Sequence, residues 1–229
     1  MIQAVLFEFD GVIADTREAR RSALLDALEE DGVALTDTEY ETWCAALPVR
    51  SAVQAAFARR NVVADDTSID LATVRAERRF SRAADNGLSL NVGVHSLIES
   101  LQGQTRLGIV SRASRQDIVT TLTMARLDHA FEFVIAGDDA HLPKPSSEPY
   151  RAAMERLARR RAVPPTNIVA LEDGIAGIRS AKGAGLRCAV VGDVAPHAAM
   201  EADALIVSLV GSTVSAIDTV TIGKQSAGR

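Results

Sequence analysis

A doubly wound α/β fold, with a parallel sheet covered by helices on both faces, is predicted by three observations. Apolar residues are 47% of the 229 and aromatics only 4%, so the core is built from Ala, Val, Leu and Ile, which suits helices packed on a parallel sheet. From Leu90 onward, short apolar runs alternate with helical periodicity, the pattern of successive βα units. Near the N-terminus, AVLFEFDGVIADT (Ala4 to Thr16) reads as a buried strand running into acidic residues and a glycine turn, at the strand end where such sheets bind ligands.

The first strand contains Ala4, Val5, Leu6, Phe7 and Phe9 and ends at Gly11. Residues two apart on a strand point the same way, so Glu8 and Asp10 are expected to share a pocket. Two carboxylates crowded at the end of a buried strand call for a cation or a proton. After Asp15 and Thr16 the period becomes helical: Ala19, Ala23, Leu24, Ala27 and Leu28 form one stripe, ended by Asp31-Gly32. A second helix is capped by Asp37 or Thr38 and runs through Tyr40, Trp43, Cys44 and Leu47 to Pro48. A third spans Arg50 to Arg60, with Val53, Ala56 and Phe57 on one face. A fourth spans Ser68 to Ala84, with Leu71, Val74 and Phe80 inward and Asn86-Gly87 as its stop.

The alternating part then begins. Helices are expected at Val94 to Leu101, Asp117 to Ala125, Pro149 to Arg161 and Ile175 to Gly183. Strands are expected at Arg106 to Ser111, Phe133 to Gly137, Ile168 to Leu171, Cys188 to Val191 and Ala204 to Val207. Residues 1–16 and 89–229 therefore form the α/β core, and 17–88 is an all-helical insertion. The tail Lys224 to Arg229 is small and polar and is expected to fray.

Net charge is −5 with no basic block, which argues against nucleic acid as a partner and leaves a small anionic ligand open. Cys44 and Cys188 match no metal or redox spacing, so a reducing, cytoplasmic setting is expected. The N-terminus has no basic n-region, and no apolar run reaches membrane-spanning length. A monomer is the expectation for a chain of this size.

Four polar groups stand at or near strand ends: Glu8 with Asp10, Ser111, Lys144 in LPKPSSEPY, and Glu172 with Asp173. Together they compose a coherent chemistry. Carboxylates bind a hard cation such as Mg²⁺, while a hydroxyl and an ammonium grip a phosphoryl group. Set against them are blander roles: Ser111 as a helix cap, Lys144 as a surface lysine, and Glu172-Asp173 as caps of the following helix. Asp138-Asp139 is read as a solvated loop, and Arg20 and Arg21 as a solvated helix face. His95, His129, His141 and His197 form no ligand pattern.

In FEFDGVIADT, IVSRAS, Lys144-Pro145 and LEDGIAGIRSAKGAG, taken in this order over about residues 4–208, the chain resembles the haloacid dehalogenase superfamily, in its subgroup with a helical cap after the first strand. The last motif is similar to that of phosphosugar-acting phosphatases and β-phosphoglucomutases. The resemblance implies a Rossmann-like core and a Mg²⁺-dependent phosphatase acting on a small, sugar-like phosphate monoester. It implies that residue 8 is the nucleophile and a metal ligand. Asp10 is then the general acid/base and a ligand through its carbonyl. Ser111 holds the phosphoryl oxygens, and Lys144 bridges nucleophile and phosphate. Asp173 ligates the metal with Glu172 in support, and Gly11, Arg50 and Arg112 contact substrate. Arg20 stands where related mutases carry a histidine, which favours hydrolysis over mutase chemistry.

The family nucleophile is aspartate, and here it is Glu8. One methylene extends its reach by about 1.5 Å, and a misplacement of ~1 Å can slow a reaction on the order of 10²-fold. Three readings stay open. Glu8 still serves as nucleophile; or turnover is lost and the pocket only binds a phosphorylated ligand in a regulatory role; or the residue is an alteration of an ordinary phosphatase. Asp10, Ser111, Lys144 and Asp173 stand as in active relatives, which favours retained chemistry.

Overall fold

The computed structural model describes residues 1–45, 47–85, 87–139 and 142–223. The chain divides into two compact units, Met1–Asp15 with Ser89–Arg229, and Thr16–Leu88. Asn86 and His141, and the tail from Lys224, lie outside the described residues.

The first unit starts with β1 (Ala4–Phe7), every residue of which is buried. The helical unit follows with α1 (Arg17–Glu29), α2 (Asp37–Trp43), α3 (Val49–Arg59) and α4 (Asp66–Ala84). Leu24, Ala27 and Leu28 of α1 pack with Ala52, Val53, Ala56 and Phe57 of α3 and Ile69, Ala72 and Ala76 of α4. Alanines at these positions let the helices approach closely. Two details differ from the sequence reading. The inward residues of α4 are Ile69, Ala72, Ala76 and Phe80, whereas Leu71 and Val74 are 56% and 41% exposed. The stripe spaced by three and four residues sets the buried face, and Leu71 and Val74 fall off it despite being apolar. Arg20 is not simply solvated: its guanidinium stacks 4.0 Å over the Phe80 ring, and Arg21 bonds Glu18 and Asp37.

The cap of α2 is also one residue earlier than expected. Thr36 accepts from the Glu39 N–H, and the Glu39 carboxylate accepts from the Thr36 N–H at 2.8 Å, a capping box. The helix ends at Trp43, with Cys44 as its C-cap, before Leu47. Thr36→Ala is expected to lower stability by about 1 kcal/mol, read as a fall in urea midpoint, with Thr36→Ser close to native. An unchanged midpoint for Thr36→Ala sinks this account of the cap.

The remaining elements are α5 (Val94–Leu101), β2 (Arg106–Val110), α6 (Arg115–Met124), β3 (Phe133–Ile135), α7 (Glu148–Ala158), β4 (Ile168–Glu172), α8 (Ile175–Gly183), β5 (Arg187–Val191), α9 (Pro196–Glu201), β6 (Ala204–Ile206) and α10 (Val214–Gly223). The short α9 and the C-terminal α10 were not expected from sequence. The sheet is parallel throughout, in the order β3-β2-β1-β4-β5-β6. This is the Rossmann-like doubly wound order, which reverses between β1 and β4. Phe7 sits in register with Ile109 of β2 on one side and Leu171 of β4 on the other. The residues leaving β1, β2 and β4 therefore emerge side by side at the reversal, where such sheets open a crevice.

Candidate active site

The chain leaves β1 through Glu8 into a turn that bonds to itself. The Gly11 N–H donates to the Ala14 carbonyl at 2.8 Å, and Ile13 N–H to Phe9 at 2.9 Å. Asn91 ties the turn down through its side-chain amide, at 2.8 Å to the Gly11 carbonyl. Glu8 and Asp10 thus lie beyond the strand, not two apart along it, because the pairing stops at Phe7. What relates them is the turn: the Glu8 carboxylate folds back onto main-chain N–H groups.

Four donors surround that carboxylate. Its Oε1 accepts from the N–H of Phe9 at 2.8 Å, from the N–H of Asp10 at 3.3 Å, and from the Ser111 hydroxyl. Its Oε2 accepts from the Lys144 ammonium. Ser111 follows β2 directly, and its Oγ accepts in turn from the Ala113 N–H at 3.1 Å. Lys144 comes from the loop between β3 and α7. Besides Glu8 it donates to the Val110 carbonyl at 2.8 Å and to Glu172 Oε1 at 2.6 Å, so all three ammonium hydrogens are used.

Glu172 ends β4 and is almost wholly buried. Its Oε1 also accepts from the hydroxyl of Tyr150, a fully buried residue of α7. Its Oε2 lies against Gly177 of α8, so closely that a Cβ there would sit 1.8 Å away. Tyr150 and Gly177 escaped the sequence reading. A tyrosine six residues after Lys144 in an aromatic-poor chain, and a glycine inside a helix at a cost of roughly 0.5–1 kcal/mol, were the available signals.

Asp173 sits at the solvent side, with its carboxylate against Gly11. Gly11 has φ +74°, and a Cβ there would lie 2.6 Å from Asp173 Oδ2, so glycine is required on both grounds. Arg112 is exposed beyond Ser111. Arg50 belongs to the helical unit, where Asp66 and Asp70 each hold its guanidinium at 2.8 Å. Asp138 and Asp139 lie in the solvated loop expected of them, and there they bind Arg115 at the start of α6, through its N–H at 3.0 Å and its guanidinium at 2.8 Å.

The charges explain the titration behaviour. Burial works against the Lys144 ammonium, but Glu172 and Glu8 outweigh it and hold the proton more firmly than usual. Burial, with the Glu8 charge adding to it, raises Glu172 above the ordinary carboxylate range against the pull of Lys144. Asp173 is raised as well: its edge meets solvent, but the protein packed around its carboxylate strips much of its water, and Glu8, Glu172 and Asp10 add to the shift. Such an excess of carboxylate oxygens is the donor chemistry of a hard cation. Among the described residues no three His, Cys, Asp or Glu side chains gather at ligating distance, so a cation here would draw part of its shell from main-chain carbonyls and water.

The chain is similar to known proteins over most of its length. A family model described as haloacid dehalogenase-like hydrolase matches residues 5–191. Protein CbbY of Cereibacter sphaeroides is 32% identical over 198 residues, covering 83% of this chain and 84% of that protein. A mutant CbbY from Rhodobacter sphaeroides, solved with xylulose-(1,5)-bisphosphate, superposes with TM-score 0.72 and 28% identity over 95% of this chain and all of that one. A β-phosphoglucomutase from Clostridium difficile shares the fold, with TM-score 0.77 and 18% identity over 99% of this chain and all of that one.

Proposed function

The chain belongs to the haloacid dehalogenase-like hydrolase family, and we propose that it hydrolyses a small, sugar-like phosphate monoester with Mg²⁺ through a carboxylate nucleophile. The observation that carries this reading is the ring of donors from Phe9, Asp10, Ser111 and Lys144 around one carboxylate. Two N–H groups, a hydroxyl and an ammonium, held rigidly, are what stabilises the oxygens of a transferring phosphoryl group. The bisphosphate bound by CbbY supports a sugar phosphate as the substrate class. Residues 17–88 are the cap domain of this reading.

The residues then act as follows. A Glu8 oxygen attacks phosphorus, and the bond from phosphorus to the leaving oxygen breaks. Asp10 gives that oxygen its proton. Water next attacks the acyl phosphate on Glu8, Asp10 takes the water's proton, and inorganic phosphate leaves with Glu8 regenerated. Ser111 and Lys144 hold the phosphoryl oxygens throughout. Mg²⁺, held by Glu8, Asp173 and the Asp10 carbonyl, would supply charge neutralisation to the phosphoryl group.

The test is Mg²⁺-dependent phosphate release from an aryl phosphate and a panel of sugar phosphates. Asp10→Asn is expected to lower turnover by about 10²–10⁴-fold, the usual contribution of a general acid/base. If Asp10→Asn and Glu8→Asp both leave phosphate release as it was, the site assignment falls. A silent native chain that binds a phosphosugar with Mg²⁺ replaces the enzyme by a ligand-binding protein on the same fold. The engagement of both Glu8 oxygens is the observation on that side.

A further inference from the structure

We propose that Glu8 is the resident occupant of its own phosphoryl site: its carboxylate fills the oxyanion cradle, and an incoming phosphate must displace it. The inference rests on the phosphatase reading for the identity of the incoming anion, and it adds what holds the site at rest.

The donors come from separate parts of the chain: the Phe9 and Asp10 N–H groups, the Ser111 hydroxyl and the Lys144 ammonium. They converge on one small volume, and the object in it is an anion. A nucleophile poised for attack approaches a phosphoryl group from outside and leaves those donors to the phosphoryl oxygens. Here Oε1 alone takes three of the four. The extra methylene of glutamate is what carries the carboxylate this far, by about 1.5 Å relative to aspartate. A phosphate dianion offers more charge and more oxygens to the same donors, so substrate and Glu8 compete for them.

The cradle does not need Glu8 to keep its shape. Lys144 retains the Val110 carbonyl and Glu172, Glu172 retains Tyr150, and Ser111 retains the Ala113 N–H. The Phe9 and Asp10 N–H groups are fixed by the turn that follows them. Emptying the cradle therefore leaves a preformed anion site.

The experiment is a titration of inorganic phosphate into the full chain, without added divalent cation, followed by calorimetry and by the Phe9 and Asp10 amide signals. Glu8→Ala is expected to bind phosphate at least about 10-fold more tightly than the native chain, the worth of losing one charge-assisted competitor. Glu8→Asp is expected to fall between them, and it carries the comparison if Glu8→Ala does not fold. Adding Ser111→Ala to Glu8→Ala is expected to remove the gain. Equal phosphate affinity in the native chain and the Glu8 variants overturns the proposal, as does a gain that survives Ser111→Ala. Turnover is read separately. Tighter phosphate binding with no turnover in either the native chain or Glu8→Asp sinks the phosphatase reading and keeps the occupied cradle. Turnover without the binding gain does the reverse.

Discussion

Lys144→Met is expected to lower the stability of the protein by roughly 3–5 kcal/mol, the cost of breaking a buried ion pair by removing one partner. Lys144 is 5% exposed and its ammonium is shared by Glu8, Glu172 and the Val110 carbonyl. Without it two buried carboxylates face each other with no counter-charge, and a carbonyl loses its donor. A methionine fills much the same volume, so the loss reports charge and hydrogen bonding rather than a cavity. The deficit also has a sign with pH. Glu172 is already held above the ordinary carboxylate range with Lys144 in place, and losing the ammonium raises it further. In the variant the folded state then keeps protons that the unfolded chain releases at neutral pH. Stability falls as pH rises through that window and recovers as pH is lowered toward the ordinary carboxylate range. Urea unfolding of the native chain and Lys144→Met across that range measures both effects. A deficit below 1 kcal/mol, or one independent of pH, contradicts the buried triad.

The second large effect is expected at Gly177. Glycine inside a helix is ordinarily less stable than alanine by roughly 0.5–1 kcal/mol, so Gly→Ala there should help. At Gly177 it should do the opposite. The new Cβ would meet Glu172 Oε2 at 1.8 Å, and Glu172 has nowhere to go, pinned by Lys144 and Tyr150 and buried on all sides. Overpacking of this kind costs typically about 1–3 kcal/mol. The displaced carboxylate also drags Lys144 off the cradle, so phosphate turnover should fall with stability. Gly183→Ala in the same helix meets only Ser147, at 3.4 Å, and is the control that should be neutral or stabilising. Unfolding midpoints and phosphate release for both variants decide it. Gly177→Ala as stable and active as Gly183→Ala overturns the packing argument.

The fold was legible in the sequence where burial leaves a strong pattern. Ala4 to Phe7, Ile168 to Leu171 and Cys188 to Val191 are covered on both faces, so each reads as an unbroken apolar run. The ends of elements were less legible. β4 continues through Glu172 because that residue pairs with Val190 in the sheet, and a glutamate gives no local sign of it. α10 was missed because its apolar and polar residues do not separate by face.

For the site, strand-end position singled out Glu8, Ser111 and Glu172, and Lys144 was read from the loop that follows β3. The resemblance implied that Lys144 meets residue 8, but the other contacts among these groups had no sign in the sequence. Glu8 and Lys144 stand 136 residues apart, and Tyr150 and Glu172 22 apart. No periodicity encodes which way a buried carboxylate turns. Two sequence expectations concerned how the acids relate: that Glu8 and Asp10 share a strand face, and that Glu172 supports Asp173. The side chain of Glu172 is instead directed to Lys144 and Tyr150.

The most direct test of the nucleophile is chemical. The native chain is incubated with Mg²⁺ and an aryl phosphate, quenched in acid, digested, and the peptide carrying Glu8 is weighed before and after hydroxylamine. The expected result is one phosphoryl group on that peptide, removed by hydroxylamine as an acyl phosphate is. Phosphate released into solution while the Glu8 peptide stays unmodified at every quench time would contradict it.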